Sequence, residues 1–297
     1  MKHTKLVLAS LLLSAPAAAD AVIAVHDGST EKVVLYKVGA SGLTKVVQDP
    51  GDVAELAWSD AKTLWVRYQS ETETLLGKIV DGKIEKLKID PGPLKVAKDS
   101  SLGLTLRTTK TGQVWMHYCL QSGDFDCNKA TWLRVDLPKQ KLANRAPAGL
   151  GPANPPVFPA VATPKGYKVA LQQVVVDGLG DDQKKTKTKG AICTGPARSK
   201  TWPDNTVDLP FAMKPSKVTW VRAEPPVAKV EGKATNPVGQ ISDEQAVFVG
   251  CKETYDEVMF FGGGAWGIRK EDSWQIYVEA KEVAKLSART ILPAPTK

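Results

Sequence analysis

The stretch Glu55–Tyr68, ELAWSDAKTLWVRY, contains two apolar segments separated by the short polar break Ser59–Lys62. In Leu64–Tyr68, successive side chains fall alternately on two sides of an extended chain, which is the period-2 pattern of a β-strand. Val53–Trp58, before the break, is also strand-like. The stretch therefore predicts a β-hairpin with a tight polar turn.

The hairpin pattern recurs along the chain. Further segments that show it are Val34–Val46, Leu75–Leu87, Val96–Arg107, Trp132–Leu142, Ala160–Leu171 and Ile276–Leu286. The clearest of them has Asp81-Gly82 at its turn, a pair that favours the left-handed backbone of tight hairpins. Two hairpins in about 40 residues make four strands, which is the size of one blade of a β-propeller.

The residues around the break also carry a family resemblance. Trp58, Ser59, Asp60, Lys62, Leu64 and Val66 resemble the WSPDGKxLAF signature of TolB-type, WD40-like β-propeller repeats. Asp60-Ala61 stands where that signature has Pro-Asp-Gly. The resemblance implies an architecture and carries over no functional residue. The expected fold is all-β, a propeller of about six to seven four-stranded blades, with a β-sandwich or two smaller β domains as alternatives.

Residues 1–19 have the features of a cleavable secretory signal peptide. Lys2 and Lys5 precede the apolar run Leu6–Leu13, and Ala15–Ala19 supplies the small residues that signal peptidase requires. The run is far shorter than the roughly 20 apolar residues of a spanning helix. We therefore expect an exported chain, periplasmic or extracellular, without a transmembrane segment after cleavage, and a single propeller domain over residues 20–297.

The net charge and the low-complexity segments give little information about which partner the protein binds. The formal net charge of +8 becomes about +6 without Lys2 and Lys5, and this modest excess does not by itself indicate nucleic acid. Residues 146–156 form a Pro/Gly-rich connector, expected to be extended and solvated, and residues 181–190 a charged loop. The connector fits an interblade connection or a linker between domains equally well.

The chain contains four cysteines, Cys119, Cys127, Cys193 and Cys251. An even number in an exported chain favours two disulfides over a metal site, and the spacings lack the CxxC pairs of zinc ligands. Four cysteines allow three pairings. We favour Cys119–Cys127, because the intervening segment contains Gly123 and can turn back as a hairpin loop. Cys193–Cys251 then forms the second bond.

Two surface segments are candidate binding sites. Asp124, Asp126 and Asn128 place oxygen ligands at alternate positions, as calcium loops do, but the glycine and the bidentate glutamate of such loops are missing. A polar hairpin tip is therefore favoured over a calcium site, and no other cofactor is expected. The basic residues Lys184, Lys185, Lys187 and Lys189 are a candidate surface for an anionic partner, with a solvated loop as the alternative.

Catalytic motifs are not evident in the sequence. After the predicted cleavage site the histidines are His26 and His117. His26 is expected at a strand end and turn, and His117, on an aromatic strand, fits packing better than chemistry. Phe260–Gly267 is glycine-rich, but no helix start follows it, as a phosphate cradle requires. We predict a turn or bulge between two strands there.

The sequence therefore favours an exported, non-catalytic binding or scaffold protein of the cell envelope or extracellular space. Its expected partner is a protein or an envelope polymer rather than nucleic acid, because no aromatic side chain is interleaved with the lysines. The alternatives are a propeller enzyme, either lactonase-like or quinoprotein-like, and a structural envelope protein. The sequence leaves the oligomeric state open.

Overall fold

The structure is a computed structural model that describes residues 21–69, 74–89, 101–121, 127–152, 157–176, 186–196, 214–235 and 241–296. In these ranges the chain forms twenty-two β-strands and no helix. The all-β prediction is therefore confirmed for the described part of the chain. The predicted signal peptide, residues 1–19, lies outside it.

The strands form six antiparallel sheets, numbered here in chain order. Sheet 1 contains β1 (Ala21–Asp27), β2 (Lys32–Gly39), β3 (Gly42–Asp49) and β22 (Thr290–Pro293). Sheet 2 contains β4 (Val53–Trp58), β5 (Thr63–Tyr68), β6 (Thr74–Val80) and β7 (Lys83–Ile89). Sheet 3 contains β8 (Ser101–Thr108), β9 (Val114–Gln121), β10 (Cys127–Arg134) and β11 (Lys141–Ala143).

The second half of the chain continues in the same way. Sheet 4 contains β12 (Lys168–Val176) and β13 (Thr186–Thr194). Sheet 5 contains β14 (Lys214–Arg222), β15 (Val227–Thr235), β16 (Ile241–Val249) and β17 (Glu253–Tyr255). Sheet 6 contains β18 (Glu257–Gly262), β19 (Ala265–Lys270), β20 (Ser273–Val278) and β21 (Lys281–Ser287). Each sheet except the first is built from strands that are consecutive in the chain.

Sheet 1 joins the two ends of the described chain. Strand β22 pairs with β1, and the order across the sheet is β22, β1, β2, β3. Ile23 lies opposite Pro293, and Val25 lies opposite Ile291. The N–H of Ala294 donates to the carbonyl of Val22 over 2.9 Å. The last strand is therefore an integral part of the sheet in which the first strand lies.

The hairpin of the opening stretch forms as predicted, from β4 and β5. Its turn is closed by Asp60, whose Oδ1 accepts the backbone N–H groups of Lys62 (2.8 Å) and Thr63 (3.0 Å). The second predicted turn also forms, between β6 and β7. Asp81 and Gly82 have φ values of 47° and 78° there, the left-handed backbone that favours these two residue types.

Two segments differ from their prediction. In the predicted hairpin Ala160–Leu171, the chain forms no strand before Lys168. Pro159 and Pro164 flank that first half and have no N–H to donate to a strand ladder. The predicted charged loop 181–190 is described from residue 186, and from there it belongs to strand β13 rather than to a loop. Its residues pair with the apolar end of β12.

Alternate side chains of a single strand pack into different cores. On β1, Ile23 and Val25 pack in a cluster with Phe261 and Trp274 of sheet 6. Ala24, which points to the opposite face, packs in a cluster that contains Trp58 and Leu64 of sheet 2. Both faces of β1 are therefore buried, each against a different neighbouring sheet.

The same arrangement continues along the chain. One cluster joins sheets 2 and 3 through residues such as Trp65 and Met116. Another joins sheets 4 and 5 through Cys193 and Trp220, and a third joins sheets 5 and 6. Each of these cores lies between the faces of two sheets that are neighbours in the chain order. The sheets are thus held together mainly by face-to-face burial of apolar side chains.

A polar contact reinforces the interface between sheets 1 and 2. The hydroxyl of Tyr68, at the end of β5, donates a hydrogen bond to the carboxyl group of Asp49, which is fully buried at the end of β3. Asp49 also accepts the N–H of Gly51 over 2.8 Å. A Cβ at residue 77 would collide with the Tyr68 ring, which explains the glycine at that position. Burial and the Asp49 contact raise the pKa of Tyr68.

We predict that Tyr68→Phe lowers the free energy of unfolding by about 1–3 kcal/mol, because it leaves a buried carboxyl oxygen without its hydroxyl donor. The matched control is Tyr36→Phe, since Tyr36 is half-buried and its hydroxyl has no hydrogen-bond partner among the described residues. Urea denaturation of both variants measures the difference. Equal stabilities of the two variants would contradict the structural role of the contact.

Candidate functional site

A cavity of about 380 Å³ lies where edge strands of four sheets meet, and we refer to it as the edge-strand cavity. The strands are β4, β8, β18 and β22, each at one edge of its sheet. The lining residues are Leu56, Ala57, Trp58, Leu106, Arg107, Thr108, Gly151, Pro152, Met259, Leu292 and Pro293. The lining is mostly apolar, and its volume is within the range of small-molecule sites, roughly 300–1,000 Å³.

Hydrogen bonds between edge strands fix the shape of the cavity. The indole N–H of Trp58 on β4 donates to the carbonyl of Leu292 on β22 over 3.0 Å. On the other side of β4, the Oε2 atom of Glu55 accepts the backbone N–H of Leu106 on β8 over 2.6 Å. These contacts use backbone groups at strand edges, which would otherwise need water or another partner. Strand β4 is therefore tied to both neighbouring edge strands.

Among the described residues that line the cavity, Arg107 is the charged one, and its side chain is about half exposed (51%). Its Nη1 donates to the carbonyl of Leu106 over 2.9 Å and lies 3.6 Å from Oε1 of Glu55. Glu55 makes a closer contact with Arg67, whose Nε is 2.9 Å from Oε2. One carboxylate thus faces two guanidinium groups, so the group of three carries a net positive charge.

The Pro/Gly-rich connector begins at this cavity. The N–H of Gly151 donates to the carbonyl of Thr108 (2.9 Å), and the N–H of Lys110 donates to the carbonyl of Gly149 (2.8 Å). Gly151 and Pro152 then line the cavity. The described start of the predicted connector 146–156 is therefore hydrogen-bonded to the end of β8, and most of its residues are exposed, as expected of a solvated segment. Residues 153–156 lie outside the described residues.

His117 packs against an aromatic side chain on sheet 3. Its ring lies 4.4 Å from that of Trp132, its cross-strand neighbour on β10. Its Nδ1 is 3.4 Å from the hydroxyl of Thr105. Burial, and to a lesser degree the charge of Arg107, lower the pKa of His117. This geometry agrees with the packing role predicted for this histidine.

The predicted disulfide Cys193–Cys251 is present. It links β13 of sheet 4 to the turn after β16 of sheet 5, and Cys193 is buried in the core between these sheets. The two residues are 58 positions apart in the sequence. Closing a loop of this length in the unfolded chain is worth about 4 kcal/mol in the chain-entropy model. The bond therefore holds the two-stranded sheet 4 to its neighbour.

Three other predicted site residues lie on described strands of sheet 3. Cys119 lies on β9 opposite Ala130, and Cys127 lies on β10 opposite Gln121, so both are on paired strands. Their disulfide stays a prediction. Asn128 lies on β10 where the register with β9 shifts.

The remaining predicted site residues concern the calcium and anion candidates. Asp124 and Asp126 lie outside the described residues, as do Lys184 and Lys185. Within the described ranges, no three His, Cys, Asp or Glu side chains form a group that could hold a metal ion. Lys187 and Lys189 lie on β13. The calcium and anion sites at these positions stay predictions.

His26 and the glycine-rich segment Phe260–Gly267, which were also candidates for chemistry in the sequence, have structural roles. His26 is buried at the end of β1, with Nε2 3.0 Å from Oε2 of Glu31. Phe260–Gly267 forms the β18–β19 hairpin as predicted, and Gly262, Gly263 and Gly264 all have positive φ at its turn. Glycine adopts that backbone at no steric cost.

Two comparisons with known sequences find no relative. The chain matches no protein-family model, and a comparison with curated proteins finds no similar sequence. In the part of the chain that is described, no helix has the length and apolar character needed to cross a membrane.

The edge-strand cavity was missed by sequence reasoning. Its residues come from positions as distant as Leu56 and Pro293, and all except Gly151 and Pro152 of the connector look like ordinary strand residues in the sequence. One signal was present in the opening stretch. Glu55 and Arg67 are charged residues within apolar alternation, and such positions require a polar partner when the strand is buried.

We predict that His117 makes stability depend on pH. The unfolded chain protonates this ring near pH 6.5, whereas the folded chain, whose His117 pKa is lower, resists protonation. The contribution of the neutral His117 ring to the free energy of unfolding is therefore fully present above pH 6.5 and is lost as the pH falls below that value. The loss of unfolding free energy between pH 7.5 and pH 5 should therefore be smaller in His117→Gln than in the wild type, as measured by urea denaturation.

A direct titration of the His117 ring by NMR is the control for this prediction. We expect a midpoint below that of a model histidine peptide. A midpoint at or above the peptide value would contradict the assigned burial of the ring.

Proposed function

We propose that the chain is an exported β-propeller that binds an apolar ligand, and that the edge-strand cavity is its binding site. In this proposal the six sheets are six blades arranged around one axis, with β22, β4, β8 and β18 as innermost strands. The TolB-type, WD40-like repeat at Glu55–Tyr68 is then the inner hairpin of the second blade.

Three observations support the propeller. Strands follow each other in chain order across sheets 2 to 6, as in a blade. Alternate side chains of β1 pack against two different sheets, as a ring of stacked blades requires. The pairing of β22 with β1 would close the ring by placing both ends of the chain in one blade. A two-layer sandwich would bury one face of each sheet and leave the other to solvent.

Export is supported by two features of the chain. Residues 1–19 have the composition of a secretory leader. The disulfide Cys193–Cys251 is a kind of bond that persists in oxidising compartments and is rare in the cytosol. We therefore place the mature protein in the periplasm or outside the cell.

The apolar lining of the edge-strand cavity is the observation on which the binding function rests. A ligand in the cavity would bury its apolar surface against a wall that includes Leu56, Leu106, Met259 and Leu292. The polar groups between these strands are already engaged, since Trp58 donates to Leu292 and Glu55 accepts from Leu106. A pocket with apolar walls and few polar groups is the usual form of a small-molecule binding site.

The test uses the neutral fluorescent probe N-phenyl-1-naphthylamine and the mature protein. We expect saturable binding with an increase in probe fluorescence. Met259→Trp, which places a larger side chain in the cavity lining, should weaken binding by about tenfold or more, or 1.4 kcal/mol. The matched control is Leu142→Trp on edge strand β11, where Leu142 is exposed and outside the cavity lining.

Two outcomes of this titration would contradict the proposed site. One is non-saturable probe binding to the wild type. The other is equal probe affinity in Met259→Trp and Leu142→Trp, which would place the binding site elsewhere. Circular dichroism of both variants confirms that each retains the all-β fold before the affinities are compared.

A further inference from the structure

We propose that the ligand of the edge-strand cavity is an apolar carboxylic acid, held with its carboxylate on the guanidinium of Arg107. This inference rests on the proposed function, because it names the ligand class of the same site. It assigns the apolar part of the ligand to the cavity wall and the anionic part to the rim.

The size and lining of the cavity define the apolar part. An engineered apolar cavity of about 150 Å³ binds benzene, so a volume of about 380 Å³ has room for roughly two ring-sized groups. Residues from four sheets contribute to the wall, among them Leu56, Leu106, Met259 and Pro293. A compact aromatic or branched aliphatic body would fit this space better than a polar one, because the leucine, methionine and proline side chains of this wall cannot replace the hydrogen bonds that a polar body loses.

The arrangement around Glu55 leaves a positive charge for the ligand. The Oε2 atom of Glu55 is engaged by Arg67 at 2.9 Å and by the N–H of Leu106 at 2.6 Å. Arg107 faces the other oxygen at 3.6 Å, which is beyond hydrogen-bond distance. The single carboxylate therefore neutralises one of the two guanidinium groups, and Arg107 is the one that it holds less closely.

The exposure of Arg107 makes this charge available. Its side chain is 51% exposed and belongs to the cavity lining, whereas that of Arg67 is 18% exposed and lies outside the lining. A guanidinium group binds a carboxylate through two parallel hydrogen bonds, which fixes both position and orientation.

The combination of one cation and an apolar wall selects the ligand class. A neutral apolar molecule would leave the attraction of Arg107 unused. A multiply charged anion such as a phosphate ester would find one cation near a wall that cannot solvate its remaining charge. A monoanionic acid with an apolar body satisfies both parts of the site.

The test compares two probes of the same shape, 1-naphthylacetate and its neutral analogue 1-naphthylacetamide, by isothermal titration calorimetry with the mature protein. We expect the wild type to bind the acid about tenfold or more tightly than the amide, as a charge-assisted hydrogen bond provides. Added salt should weaken binding of the acid and leave binding of the amide nearly unchanged.

Two variants assign the preference to Arg107. In Arg107→Gln the affinities for acid and amide should become equal. Lys83→Gln removes the same charge from an exposed position on β7 and should keep the preference. Retained binding of N-phenyl-1-naphthylamine by Arg107→Gln shows that its cavity is intact.

The outcomes separate this inference from the proposed function. If the neutral naphthylamine binds and Met259→Trp blocks it, but acid and amide bind equally to the wild type, the ligand class is wrong and the cavity remains a binding site. An acid preference that survives Arg107→Gln would overturn the role of Arg107. If none of these probes binds saturably, the proposed function fails together with the inference.

Discussion

Strands such as β1 carry buried apolar side chains on both faces. A small sheet built from such strands cannot bury both faces by itself and needs a neighbouring sheet on each side. Ile23 and Val25 pack towards sheet 6, and Ala24 packs towards sheet 2. The first sheet therefore needs one neighbour from each end of the chain. Burial on both sides is the constraint from which the rest of the structure follows, since it positions the sheets against each other and brings β22 back to β1.

The edge-strand cavity is a consequence of this packing. The cavity lies where edge strands of four sheets meet, so it exists only while these sheets are packed against each other. The polar groups at those edges are satisfied by specific side chains, Trp58 towards Leu292 and Glu55 towards Leu106. Glu55 thereby has a structural task that also sets the charge balance at Arg107. Architecture and the proposed ligand preference thus depend on the same side chain.

Local patterns were predictable from the sequence, and long-range assembly was not. The hairpins at Glu55–Tyr68 and Asp81-Gly82 follow from alternation and turn chemistry, which depend on neighbouring residues, and the structure confirms both. The predicted hairpin at Ala160–Leu171 was wrong in its first half, because prolines have no N–H to donate to a strand ladder even where apolar residues alternate. The cavity could not be predicted, since no local rule brings residues from four sheets to one place. The disulfide Cys193–Cys251 was an exception. Four cysteines in a chain with an expected export signal favour disulfides, and they allow only three pairings.

Cysteine cross-linking of the first and last strands tests the central claim most directly. Val25 and Ile291 lie directly opposite each other, and such residues on antiparallel strands have Cα atoms about 4.5–5.5 Å apart, within the range of a disulfide. In the variant Val25→Cys/Ile291→Cys, produced under oxidising conditions, peptide mapping by mass spectrometry should recover one cross-linked pair that joins these two positions. Two free, alkylatable thiols at residues 25 and 291 in the folded protein would contradict the account.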